Sequence, residues 1–227
     1  MHHLFTTPQT SSAKDVTARI RIKPSMHLCS GDAVGAFAEH ARTFDERPNF
    51  THAAHTANQA CPAEWIARSI SDLAVICDTL GYNDRPIVLP IPACALSQPG
   101  LIEACNHAVA QTRFANQEIS FEITDAVATT TGAVLQNIIT NFRRNGFRVS
   151  IDARKSWSAR LPATCWLMID TLRICPHHID TEADLEDMID IARTAGVAIV
   201  AQKPRWRDGD YLASLGIDYG LNPYADA

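Results

Sequence analysis

No run of about 18 apolar residues occurs in this 227-residue chain, so a membrane-spanning helix of ordinary length is excluded. The opening residues Met1, His2, His3, Leu4 and Phe5 lack the charged and apolar regions of a secretory leader, and a cytoplasmic protein is expected. No C-x-x-C pair exists among the seven cysteines, at positions 29, 61, 77, 94, 105, 165 and 175. An odd, scattered set argues for reduced, buried thiols and against a disulfide framework. P-loop, G-x-G-x-x-G and nucleophile-elbow patterns are also missing. Charge is not lopsided: 20 Lys and Arg against 25 Asp and Glu leave a net −5, which gives no global reason to expect nucleic acid or an anionic membrane as partner.

What is present is a repeated strand and helix pattern, clearest over residues 118–152. Ile119, Phe121 and Ile123 form an apolar run of strand length. Thr129, Thr130 and Thr131 then lead into Val134, Leu135, Ile138, Ile139 and Phe142 at helical spacing. Gly146 stops that helix, and residues 147–152 resume a strand. Two acids, Glu122 and Asp152, therefore stand at the C-terminal ends of successive strands joined by a right-handed crossover. In a barrel of such units, ligands bind at that face.

Residues 1–17 are polar and aperiodic and read as a flexible tail, leaving residues 18–227 as one domain, a length that suits a single α/β core. Residues 18–24 alternate like a strand, Ser30, Gly31 and Asp32 read as a turn, and residues 33–38 as the antiparallel partner. Residues 44–60 read as a long loop. Pro62 opens a helix burying Trp65, Ile66, Ile70, Leu73, Ala74 and Cys77, closed by Gly81. Strand 86–91, helix 99–112, strand 165–174, a helix carrying Leu185, Met188, Ile189 and Ala192 up to Gly196, strand 197–201, a short helix 208–215 and strand 217–219 complete the alternation. An antiparallel opening before repeated strand and helix units favours an α/β barrel over a doubly wound sheet.

Over residues 20–224 the chain resembles the EAL domain family of cyclic-di-GMP phosphodiesterases. The matching pieces are Lys23-Pro24 through residues 34–38, then 96–100, 121–125, Gly146 through Ile151-Asp152, Leu172-Arg173-Ile174, Ala192 through Gly196-Val197, Ala201, and 215–218. The resemblance implies a TIM-like (β/α)8 barrel whose first strand is antiparallel to the rest, with metal ions on its top face held by strand-end acids and an asparagine, and a lysine assisting the attacking water. Carried across residue by residue, the signature glutamate is Phe37, the following leucine Glu39, and the phosphate-contacting arginine Ala41. The asparagine is Pro90, the second acid of the aspartate pair Ala153, the lysine Arg173, the late glutamate Gln202 and the late glutamine Leu221. Only Glu122 and Asp152 are kept. Two carboxylates do not make a cage for a hard divalent cation, and an arginine does not deprotonate. The sequence therefore leads to the expectation of a pseudoenzyme, not an enzyme, with no metal or other cofactor and with cyclic-di-GMP neither hydrolysed nor tightly bound.

The same strand ends carry cations: Arg154 and Lys155 after Asp152, Arg173, then Lys203, Arg205 and Arg207. They read either as an anion or partner surface or as charges compensating Glu122 and Asp152, with the rest solvated. His52, His55 and Cys61 fit no strong zinc spacing and read as loop residues. Trp157 and Trp206 read either as anchors for a partner or as a plug over the mouth. If residues 217–219 are the last strand, too few residues follow for the last helix, and an uncovered wall around Tyr219 could serve self-association or partner binding unless Leu4 and Phe5 fold over it. These readings favour a regulatory protein working by protein–protein interaction, with a homo-oligomer as one form of it and a nucleotide sensor as the alternative.

Overall fold

The structure, a computed structural model, describes residues 20–40, 61–82, 85–131, 133–205 and 208–221. The expected tail, Ala41, His52, His55, Trp206, Arg207 and the residues after Leu221 lie outside that set. The chain enters through an antiparallel hairpin, β1 (Ile20–His27) and β2 (Ala33–His40), and then follows α1 (Pro62–Leu80), β3 (Ile87–Pro90), α2 (Ala93–Leu96) and α3 (Leu101–Ala110). Next come β4 (Ile119–Thr124), α4 (Asp125–Thr131), α5 (Ala133–Arg144), β5 (Arg148–Ala153), α6 (Ala163–Trp166) and β6 (Thr171–Ile174). Finally α7 (Ala183–Thr194), β7 (Ala198–Ala201), α8 (Gly209–Ser214) and β8 (Tyr219–Leu221) complete the described residues.

The eight strands close in sequence order into one barrel. β1 is antiparallel to both β2 and β8, and every other pairing is parallel, as the opening hairpin implies. No helix among the described residues is long and apolar enough to cross a membrane.

Alternation along the strands separates two apolar regions. Ile119, Phe121 and Ile123 of β4, Val149, Ile151 and Ala153 of β5, and Leu172 and Ile174 of β6 join the large core between barrel and helices. The intervening residues belong to the interior, where Phe37, Val88, Val200 and Leu221 form a small separate cluster with Tyr219 against it. Tyr219 therefore packs against the interior cluster and does not itself face outward.

Helices return to strands through one recurring turn. Gly146 takes φ +83° and the Phe147 amide donates to the Phe142 carbonyl at 3.0 Å, so that Phe147, fully buried, meets Phe121 and Phe142. The same arrangement at Gly216 sends the Ile217 amide to Leu212 at 3.0 Å. Ile217 is thus spent on closing α8, and the last strand begins at Tyr219, two residues later than the sequence pattern suggests. Three other differences have local causes. The Thr124 hydroxyl accepts from the Val127 amide at 3.4 Å, so a helix, α4, starts directly after β4 and takes in Thr129, Thr130 and Thr131, which were expected to begin the helix that is α5. The 165–174 run splits into α6 and β6, because Pro162 sets an extended residue ahead of a helical turn holding Cys165 and Trp166 in the core. The helix α2, which follows the extended Pro92, is a single turn of four residues and too short to show helical spacing in the sequence.

Candidate functional site at the C-terminal mouth of the barrel

Strand period two turns Phe37 and Glu39 of β2 to one side, as it does Ser120 and Glu122 of β4, Ser150 and Asp152 of β5, and Thr171 and Arg173 of β6. The upper members of these pairs meet at the mouth, above the apolar plug formed by Phe37, Val88, Val200 and Leu221. Arg173, 2% exposed in its side chain, is the centre of the group. Its Nη1 donates to the Glu122 oxygens at 3.2 and 3.4 Å, its Nη2 to Glu39 Oε1 at 2.8 Å, and its Nε and Nη2 to Gln202 Oε1 at 3.0 and 2.7 Å. The guanidinium carbon lies 4.7 Å from the centre of the Phe37 ring.

Asp152 is held separately. Arg154 grips it in a fork, Nε to Oδ1 at 2.8 Å and Nη2 to Oδ2 at 2.7 Å, and the Arg154 amide adds a bond to Oδ1 at 3.1 Å. Lys23 of β1 completes the set with a 3.1 Å ion pair to the other Glu39 oxygen. Glu39, Glu122 and Asp152 are thereby matched by Lys23, Arg154 and Arg173. The two acids kept from the family pattern nonetheless titrate in opposite senses. Burial pushes the Glu122 carboxyl above the ordinary range, and Arg173, shared with Glu39 and Gln202, does not bring it back. Burial also acts to raise Asp152, but the Arg154 fork, with Arg173 nearby, outweighs it and holds that carboxyl below the ordinary range.

The structure thus gathers Glu122, Arg173, Gln202 and Phe37 at one point and sets Asp152 with Arg154 beside them. Arg173 does not bond Asp152, so the compensation expected of one arginine is divided between two. Pro90, buried in β3, pairs with Glu122 in register and offers no ligand side chain. Ala153 faces the outer core and Leu221 the plug. Arg154 is committed to Asp152, which removes it from the expected anion surface. Lys155, Lys203 and Arg205 are exposed on the loops after β5 and β7, and no ion pair joins them to a described residue. Lys203 adopts φ +51°, while Pro204 after it is buried against Gly220, where a Cβ would come within 2.5 Å of its ring. Trp157 is half-buried beside His178, ring centres 5.2 Å apart, and packs against the core.

Glu39 and Lys23 escaped the sequence reading as site residues. Glu39 was counted only as a replaced leucine, although its place two residues after Phe37 on an alternating strand puts both on one side. The fit of this mouth to divalent metal, which the resemblance implies, is poor: each carboxylate already accepts from a guanidinium or an ammonium. Among the described residues no group of three His, Cys, Asp or Glu side chains is arranged to hold an ion.

No curated protein matches the chain. Its fold is similar to that of PaMucR phosphodiesterase in complex with c-di-GMP, at 16% identity and TM-score 0.70, over 91% of this chain and 92% of that one. It is similar to the EAL domain of Mycobacterium smegmatis DcpA at 17% identity and TM-score 0.63, over 92% of each. Klebsiella pneumoniae BlrP1, in a calcium/cy-diGMP complex, shares 10% identity at TM-score 0.71; the chain is covered over 96% and spans 57% of BlrP1. The expectation that this chain is not an enzyme is corrected by these matches, because the fold is shared with a protein named as a phosphodiesterase. That expectation rested on the replaced metal-ligand positions and on an arginine standing where the resemblance places a lysine. The sequence profile of the EAL domain matches residues 63–219, more than half of the chain. With the closed barrel and its antiparallel first strand, this places the chain in the EAL domain family.

Proposed function

We propose that this EAL-domain chain is a regulatory component of cyclic-di-GMP signalling that works by binding another protein, with the rim of the mouth as its contact surface. The observation that carries this reading is the contrast between mouth and rim. Inside, every carboxylate and guanidinium has a partner. Outside, Lys155, Lys203 and Arg205 are exposed and unpaired with any described residue. Lys203 is held in a left-handed conformation that a side chain adopts only at a cost of roughly 1–2 kcal/mol, a cost that tends to persist where a residue has work to do. A cationic rim of this kind selects an acidic protein face and speeds its approach.

Cyclic-di-GMP itself is the second reading, supported by the complexes in which similar folds were solved and by the match between rim cations and phosphates. One experiment separates the two. Capture from the native host with the wild-type chain as bait is compared with capture by the Lys155→Glu, Lys203→Glu, Arg205→Glu variant, and calorimetry with cyclic-di-GMP is run on both. Loss of a specific protein from the variant, with no micromolar heat from the nucleotide, supports the partner reading. Tight nucleotide binding that the charge reversal abolishes, with no protein lost, replaces it by the nucleotide reading.

A further inference from the structure

The guanidinium of Arg173 makes five hydrogen bonds to four oxygens: Glu39 Oε1, both oxygens of Glu122, and Gln202 Oε1. These oxygens come from β2, from β4 and from the residue after β7, so three separate parts of the barrel converge on one positive group. The face of the Phe37 ring lies against it. An all-oxygen, acid-rich, water-poor cradle is the environment a hard divalent cation takes. It is also one that cannot be left empty, because a carboxylate buried like Glu122, 1% exposed, needs a positive partner. We infer that Arg173 is the resident cation of this mouth: its guanidinium fills the cradle from β6, and a metal ion enters only when the guanidinium leaves.

The disagreement between this site and the metal implied by the resemblance is therefore one of occupancy by the chain itself as well as of the donors absent at Pro90 and Ala153. Glu39, Glu122 and Gln202 supply donors, and Asp152 stands next to them under the separate hold of Arg154.

The test uses Mn2+ alone, followed by paramagnetic resonance and by thermal unfolding of the full chain. Wild type is expected to take up no stoichiometric Mn2+ at this site and to unfold at an unchanged temperature in millimolar Mn2+, Mg2+ or Ca2+. Arg173→Ala is expected to unfold on the order of 10 °C lower, the consequence of stranding buried carboxylates in a chain of this size. Most of that loss should return with any of the three ions, or with low millimolar guanidinium, and should not return when Glu122→Gln is added. A folded Arg173→Ala whose unfolding temperature ignores every added cation overturns the inference. If Arg173→Ala does not fold, wild type decides: stoichiometric Mn2+ uptake that Glu122→Gln abolishes overturns it, and the absence of such uptake sustains it.

Discussion

Glu122 and Asp152 occupy neighbouring strands of one mouth, and their opposed titration makes opposite contributions to stability. The folded Glu122 carboxyl holds its proton more tightly than the unfolded one, so the native state binds more protons there and stability falls as pH rises from the ordinary carboxylate value near 4 through the raised one. The folded Asp152 carboxyl releases its proton more readily, so its contribution is present above about pH 4 and is lost as pH falls through the lowered value. Urea unfolding across pH 3 to 8 separates the two. Glu122→Gln is expected to remove a falling component between neutral and mildly acid pH. Asp152→Asn is expected to lower stability at neutral pH and flatten the acid limb, and an Asp152→Asn curve parallel to wild type would contradict the Arg154 fork. At this scale the sequence was only partly legible. Glu122, Asp152 and Arg173 announce themselves by standing at strand ends, but which cation meets which acid depends on side-chain reach across the barrel. Glu39 was legible in principle, because period two links it to Phe37, and was passed over for want of that step.

The turn from α5 into β5 concentrates much of the packing of its unit in Gly146 and Phe147. Phe147→Ala removes a ring whose centre lies 5.1 Å from that of Phe121 and 6.4 Å from that of Phe142, and should cost about 3–5 kcal/mol in urea unfolding. Gly146→Ala keeps the packing but forces a side chain to φ +83°, with its Cβ 3.4 Å from the Asn116 Cβ, and should cost roughly 1 kcal/mol. A neutral Gly146→Ala would show that the turn relaxes. Elements of this kind were legible because helical spacing, a closing glycine and the next apolar residue all agree, as in α1, α5 and α7. Where an apolar run is short, as with Cys165, Trp166 and Met168, spacing alone does not separate a helical turn from a strand, and the reading of 165–174 as one strand failed for that reason. β8 was displaced because Ile217 looks like a strand residue and serves as the hydrophobic lock of the preceding helix.

Across the whole molecule the barrel is not evenly laced. β4 and β5 pair continuously from Ser120 with Arg148 to Thr124 with Asp152, whereas among the described residues β7 meets β8 only at Val200 with Tyr219 and Ala201 with Gly220. β8 closes onto β1 through Ser25 with Leu221, Met26 with Gly220 and His27 with Tyr219. Native-state hydrogen exchange should therefore find the amides of β4 and β5 most protected and those of β8 exchanging first, through local opening. Equal protection around the barrel would contradict a weak seam at β8. The cationic rim lies on the loops after β5 and β7, so two of its supports differ in firmness, and a partner bound there should slow exchange in β7 and β8 more than in β4. The most direct measurement is capture of the native partner by wild type and by the Lys155→Glu, Lys203→Glu, Arg205→Glu variant at low and at high salt. These three exposed substitutions should leave the fold intact, with each changing stability by no more than about 0.5 kcal/mol. A partner recovered by wild type at low salt, weakened by salt and lost from the variant is the predicted result; recovery of the same partner in the same yield by the variant would contradict it.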